Sequence, residues 1–183
     1  MEGDERLRLF LALRLPDEAL DEVEAWQRAE LPGGVRLVPR ADLHVTLAFL
    51  GSRPAGELAA VAAELRGAAA GARDQLRLTP VRYRETRSVA MLVLEDEQDR
   101  AAALAADVQE RLERLGVFRR EPRPWLPHVT VARFRQRPRL RPAEPRVRTF
   151  VPSDAAAYLS RLRRSGARYE VLESVALGSL GGE

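Results

Sequence analysis

Two histidines are all that this chain of 183 residues contains, and each heads the same short pattern. His44-Val45-Thr46-Leu47 and His128-Val129-Thr130-Val131 both read His-x-Thr-apolar. Only five threonines are present, yet one stands two places after each histidine. In an extended strand, residues i and i+2 point to the same face. His44 and Thr46 therefore project together, with Val45 and Leu47 on the opposite, packed side. His128 and Thr130 repeat this over Val129 and Val131. The chain has to build two strands of one design, each with a polar face open and an apolar face buried.

The remaining pattern supplies a frame for those strands. Residues 7–15 alternate leucine with other residues, a period of two that predicts a strand. Pro16-Asp17 opens a helix over 17–30, with Leu20, Val23 and the core residue Trp26 on one face, and Pro32-Gly33-Gly34 ends it. Residues 35–38 are a short extended piece, and 39–42 turn into the first motif. The first motif strand is expected over 43–50, closed by Gly51-Ser52, before a helix over 56–70. Strands follow at 75–83 and 88–94, then a strongly amphipathic helix over 96–115 with Leu104, Val108, Leu112 and Leu115 on one stripe. A Pro- and Arg-rich approach, 119–127, leads to the second motif strand, 128–134. Residues 136–148 carry Pro138, Pro142 and Pro145 and read as a loop. Segments 155–162 and 168–177 form a closing hairpin around Ser165-Gly166. Residues 178–183 are expected to fray. The two motifs lie near half a chain apart, and 44–49 parallels 128–134. This suggests one bilobal domain over 1–183 with approximate pseudo-repeats, 1–90 and 91–177.

Composition narrows the chemistry. Cysteine is absent, which excludes disulfides, thiol catalysis and Cys-based zinc sites. No apolar run approaches the roughly 20 residues of a membrane span, and Arg8 and Arg14 interrupt the apolar N-terminal segment, so no signal peptide is read. A cytoplasmic monomer without membrane contact is the expectation. Every one of the 30 basic residues is arginine, while lysine, isoleucine and asparagine are missing. Those three residues share A/T-rich codons, so the arginine excess carries a genomic bias, and the net charge of +3 does not itself argue for nucleic acid. The distribution is uneven, however. Arg133, Arg135, Arg137, Arg139, Arg141, Arg146 and Arg148 crowd one stretch beside His128. That stretch reads equally as an electrostatic guide for RNA or as a solvated loop.

The motif residues suit acid-base work on a phosphodiester. A two-residue rise is about 6.6 Å, so an imidazole and a hydroxyl can touch one tetrahedral anion. Threonine donates without adding negative charge. Histidine's ordinary pKa near 6.5 lets one ring be neutral and its partner cationic near neutral pH. In-line displacement needs one proton acceptor and one donor. Arg133, five residues after His128, can add a paired guanidinium contact to phosphate. Either motif alone reads more simply as a structural histidine beside a common strand residue; the pair argues for one shared site. A metal site is a poorer account, because two histidines with hydroxyl neighbours give too few ligands. No Gly-x-Ser-x-Gly elbow and no phosphate-cradling glycine loop is present. Phe10, Phe49, Trp125 and Tyr158 are candidates for stacking on a base, with core packing the alternative, and Arg135 for contacting RNA.

These blocks resemble the two-histidine phosphoesterase superfamily, most of all the RNA 2',3'-cyclic phosphodiesterases historically called 2'-5' RNA ligases. Arg8-Leu9-Phe10-Leu11-Ala12 resembles the opening strand. Leu43-His44-Val45-Thr46-Leu47 with Phe49-Leu50-Gly51, and Pro127-His128-Val129-Thr130-Val131-Ala132-Arg133, resemble the two motif blocks. Tyr158-Leu159-Ser160-Arg161-Leu162 and Tyr169-Glu170 resemble the closing hairpin. Leu37 stands where members often carry tryptophan. The resemblance implies an α+β, bilobal, pseudo-symmetric fold, with two mainly antiparallel sheets facing a central cleft and helices outside. It implies hydrolysis of a 2',3'-cyclic phosphate on RNA ends or nucleotides to a 2'-phosphate, with no cofactor and no metal. His44 would be the general acid and His128 the base, with Thr46, Thr130 and Arg133 holding phosphate. The same site would also suit 2'-5' RNA joining or cleavage, or ADP-ribose cyclic phosphate. An RNA-end-binding protein is the non-enzymatic alternative.

Overall fold

A computed structural model describes residues 5–72 and 75–177; the expected frayed tail, 178–183, lies outside the described residues. Among the described residues, eight strands and three α-helices follow one another in the order β1 (Arg6–Arg14), α1 (Asp17–Glu30), β2 (Arg36–Leu37), β3 (His44–Pro54), α2 (Leu58–Gly71), β4 (Leu78–Glu85), β5 (Val89–Asp96), α3 (Arg100–Arg114), β6 (His128–Arg133), β7 (Asp154–Arg163) and β8 (Gly166–Val175). They form two four-stranded antiparallel sheets, ordered β3-β1-β7-β8 and β2-β6-β5-β4. The fold is α+β, as expected. Each sheet draws strands from both halves of the chain, and residue 90 lies within β5. Among the described residues no helix is long and apolar enough to cross a membrane.

One core unites the sheets. Leu11, Leu13, Val45 and Leu47 from the first sheet pack in the same cluster as Leu92, Val129 and Val131 from the second. Helices α1, α2 and α3 add Val23, Leu65, Leu104, Val108 and Leu112 to it. Each such aliphatic side chain contributes about 1.5–3 kcal/mol by leaving water. The stripe expected on the third helix is therefore buried, except that Leu115 lies beyond the helix end and is exposed. The helix itself begins at Arg100 rather than at Asp96. Gln98 and Asp99 turn through positive φ (58° and 54°). Asp96 instead caps the helix from a distance, its carboxylate accepting from the Ala101 and Ala102 N–H groups at 3.0 and 2.8 Å. This satisfies two donors that a helix start leaves unpaired.

Bulges shape both motif strands. Gly51-Ser52 does not close the first as expected; Gly51, at φ +70°, lets Leu50 bulge and β3 continues to Pro54. A second bulge on β3 falls at Leu47, between the pairs Leu11↔Ala48 and Ala12↔Thr46. The equivalent bulge on β6 falls at Val131, between Ala90↔Ala132 and Met91↔Thr130. Each sits on the fourth residue of its motif. A bulge sharpens local twist and releases a backbone group from the ladder. Two glutamines reach the carbonyls at these bulges: Gln109 of α3 donates to Leu47 at 2.9 Å, and Gln27 of α1 donates to Val131 at 2.7 Å, beside the Val38 N–H that donates to the same oxygen at 3.0 Å.

The arginine-rich loop, 136–148, has no helix or strand and is held from below. The buried carboxylate of Glu85 accepts from Arg137 and from the Arg139 and Leu140 N–H groups. Glu22 takes both the backbone and the guanidinium of Arg148, and Glu30 takes the Ala143 N–H. Burial works against the Glu85 charge, but hydrogen bonds from Tyr83, Leu140, Arg137 and Arg139 outweigh it and hold the pKa low. Among the described residues, Arg135, Arg139, Arg141 and Arg146 form no side-chain ion pair.

Candidate active site

Burial along the two motif strands alternates as the pattern requires. His44, Thr46, His128 and Thr130 are half-buried, while Val45, Leu47, Val129 and Val131 are fully enclosed. Strand β3 forms the edge of its sheet and packs against β6 of the other, bringing the two motifs together.

The histidines are held alike. His44 Nδ1 lies 2.7 Å from the Asp42 carbonyl, and His128 Nδ1 lies 2.8 Å from the Leu126 carbonyl. A carbonyl only accepts, so in each ring Nδ1 carries the proton and Nε2 is left as the working nitrogen. His44 Nε2 then accepts from the Thr46 hydroxyl at 3.0 Å. Burial pushes the pKa of His44 down to about 4, offset in part by the Asp42 carbonyl and reinforced by the charges of His128 and Arg133. The influence of both His128 and Arg133 on one imidazole marks the shared polar centre.

An aromatic cluster underlies His44. Phe10 lies 4.9 Å from the imidazole, centroid to centroid, and stacks on Tyr158 at 4.8 Å with the rings 3° from parallel. Tyr169 meets both Phe10 and His44 edge-on. Phe10 and Tyr158 are 2% and 3% exposed, so in this structure neither offers a face to a base. They support the imidazole instead. Burial, the largest influence, pushes the Tyr158 phenol up to about 12. Phe49 is the exposed ring of the set, at 48%, with the Arg8 guanidinium 4.9 Å above it. Trp125 is half-buried against the core, and its indole N–H donates to the Thr46 carbonyl at 3.0 Å. Its role here is to brace the first motif strand. Arg133 is exposed and donates to the Tyr169 hydroxyl at 3.2 Å. Arg135 is exposed two residues further on.

Sequence alone does not single out Asp42, Tyr169, Gln27 or Gln109. Asp42 and Tyr169 reach the site from the turn before β3 and from the far hairpin. Only the position of Asp42, two residues before a motif histidine, carries any signal. Among the described residues, no three His, Asp or Glu side chains converge as a metal-ligand set.

The model of the 2'-5' RNA ligase superfamily matches residues 15–166, spanning both motifs. The chain belongs to that superfamily. An RNA 2',3'-cyclic phosphodiesterase of Methanocaldococcus jannaschii is 22% identical, over 91% of this chain and 99% of its own length. Escherichia coli LigT, crystallised with NADP+, is 28% identical and superposes with a TM-score of 0.76, covering 96% of this chain and all of LigT. LigT has also been crystallised with 3'-AMP. TT0787 of Thermus thermophilus is 30% identical with a TM-score of 0.75, covering 93% of this chain and 98% of that protein. As a superfamily member, the chain is a two-histidine phosphoesterase, with the bilobal α+β fold of its solved relatives.

Proposed function

We propose that this phosphoesterase hydrolyses 2',3'-cyclic phosphates on RNA ends or nucleotides to 2'-phosphates, using His44 and His128 and no metal. One observation carries the reading: both rings are pinned at Nδ1 to the carbonyl two residues upstream, which leaves each Nε2 for proton transfer on a strand face shared with a threonine. In the reaction, water attacks phosphorus while one Nε2 accepts its proton. The P–O3' bond breaks, and the other ring, as imidazolium, protonates the departing 3' oxygen. The threonine hydroxyls and Arg133 hold the non-bridging oxygens, where charge gathers. The activity named for the M. jannaschii relative and the 3'-AMP bound by LigT support this substrate class.

The resemblance makes His44 the acid and His128 the base. In the free protein His44 is neutral at pH 7, since its pKa is about 4. Acting as acid therefore requires the bound phosphate anion to raise that pKa, which an adjacent opposite charge does. Phe49, exposed beside the site, is the ring best placed to stack on a base. The superfamily's own description favours a second reading, cleavage or joining of 2'-5' linkages at the same site.

The test is turnover of the four 2',3'-cyclic nucleotides in excess chelator, with phosphorus NMR locating the product phosphate. Full activity with a 2'-phosphate product is expected. Replacing either histidine with alanine should lower kcat by about 10²–10⁴-fold. Loss of activity on chelation, or a near-active histidine variant, would overturn the proposal.

A further inference from the structure

The start of β8 folds over the site and ties its two sides together. Asp42 is 6% exposed and works at both ends. Its backbone carbonyl accepts from His44 Nδ1 at 2.7 Å. Its carboxylate faces the Arg168 guanidinium at 3.7 Å and lies close enough to the Tyr169 backbone N–H to be influenced by it. Tyr169, anchored in this way, places its ring edge-on to His44, 5.3 Å between centroids at 82°. Its hydroxyl reaches the other motif strand and accepts from Arg133 at 3.2 Å. One tyrosine thus touches the first motif's imidazole and the second motif's guanidinium. The turn before it is equally close: a Cβ on Gly166 would collide with the Arg36 guanidinium of β2. The cavity left among Arg36, Asp42, Arg133 and Tyr169 is about 20 Å³.

We propose that Asp42 and Tyr169 are positioning residues: Asp42 anchors the β8 strap, and Tyr169 sets His44 and Arg133 to face a single phosphate. The inference rests on the cyclic phosphodiesterase reading for its kinetic readout. Tyr169 acts in two separable ways. Its ring limits rotation of the His44 imidazole, which governs the proton-transfer step. Its hydroxyl holds Arg133 in the free protein and cedes that donor when a phosphate oxygen arrives, so the guanidinium is already aimed.

The variants Asp42→Ala, Asp42→Asn and Tyr169→Phe separate these roles. Asp42→Ala should lower kcat about tenfold or more, within the range of a misplaced proton-transfer group. Asp42→Asn keeps an oxygen acceptor for the Tyr169 N–H and should restore kcat to within about threefold of the parent. Tyr169→Phe keeps the ring and loses one hydrogen bond, so KM should rise about three- to tenfold with kcat little changed. Imidazole NMR gives a readout free of turnover. The His44 ring protons should shift in Asp42→Ala, as the Tyr169 ring departs, and stay in place in Asp42→Asn. An inactive parent protein would sink the substrate assignment while the NMR arm still decided the strap. The proposal is overturned if the His44 signals are unmoved in folded Asp42→Ala, if Asp42→Asn is as damaging as Asp42→Ala, or if Tyr169→Phe leaves KM unchanged. Should Asp42→Ala not fold, Tyr169→Phe decides alone.

Discussion

Lowering the pH from 7 to 5 should destabilise this protein through His44 in particular. Burial sets its folded-state pKa at about 4, against an ordinary value of about 6.5 in the unfolded chain. Between those values the unfolded chain takes up a proton that the folded site refuses. Stability therefore declines as the pH is lowered, beginning near 6.5 and levelling off below 4. The full gap of about 2.5 units corresponds to about 3.4 kcal/mol at 1.36 kcal/mol per unit. At pH 5 most of the unfolded chain is protonated at this position and the folded site is not, which gives a loss of about 2 kcal/mol. Urea denaturation at pH 7 and pH 5 measures it, with His44→Gln as the control that removes the titrating ring and leaves the carboxylates unchanged. The parent should lose about 2 kcal/mol more than the variant over that interval. Saturating inorganic phosphate should shrink the difference, because an anion beside the ring favours its charged form. Parallel losses in parent and variant, or a His44 ring titrating near 6.5 by NMR in the free protein, would refute the reasoning.

Two further outcomes follow from the geometry. Gln27→Leu strips the Val38 and Val131 carbonyls of their side-chain donor, and thermal or urea unfolding should show a loss of about 1–3 kcal/mol. Arg133→Gln removes the site's exposed guanidinium, so KM for a cyclic nucleotide should rise while urea stability changes by less than about 1 kcal/mol; an unchanged KM would remove Arg133 from phosphate binding.

Much of the architecture is legible from periodicity. Alternation along 7–15 and within the two motifs is a direct imprint of one face packed and one face open, and the stripe Leu104-Val108-Leu112 is the same imprint at helical spacing. The burial of Val45, Leu47, Val129 and Val131 beneath half-exposed histidines and threonines repeats the expectation residue for residue. Bulges are a different matter. Nothing in Leu47-Ala48 or Val131-Ala132 distinguishes a bulge from regular strand, because the extra residue is defined by its partner across the ladder. Gln27 and Gln109 look like ordinary helix residues until the bulge carbonyls they reach are located. The choice left open for the aromatics is hidden in the same way: Phe10 can be recognised as facing the polar side, but not as covered by Tyr169 from 159 residues further along. Asp96 lies at the expected helix start, yet a left-handed pair at Gln98 and Asp99 delays the helix and makes the carboxylate its cap.

The two glutamine grips run crosswise. Helix α1, from the early part of the chain, secures the strand bearing His128, and α3, from the later part, secures the strand bearing His44. Each imidazole is pinned by a carbonyl two residues upstream, but the strand beneath it is gripped from the other part of the chain. Local melting of either helix would consequently loosen the remote motif strand as well as its own surroundings. A fragment carrying one histidine would therefore be deprived of the helix whose glutamine steadies its strand.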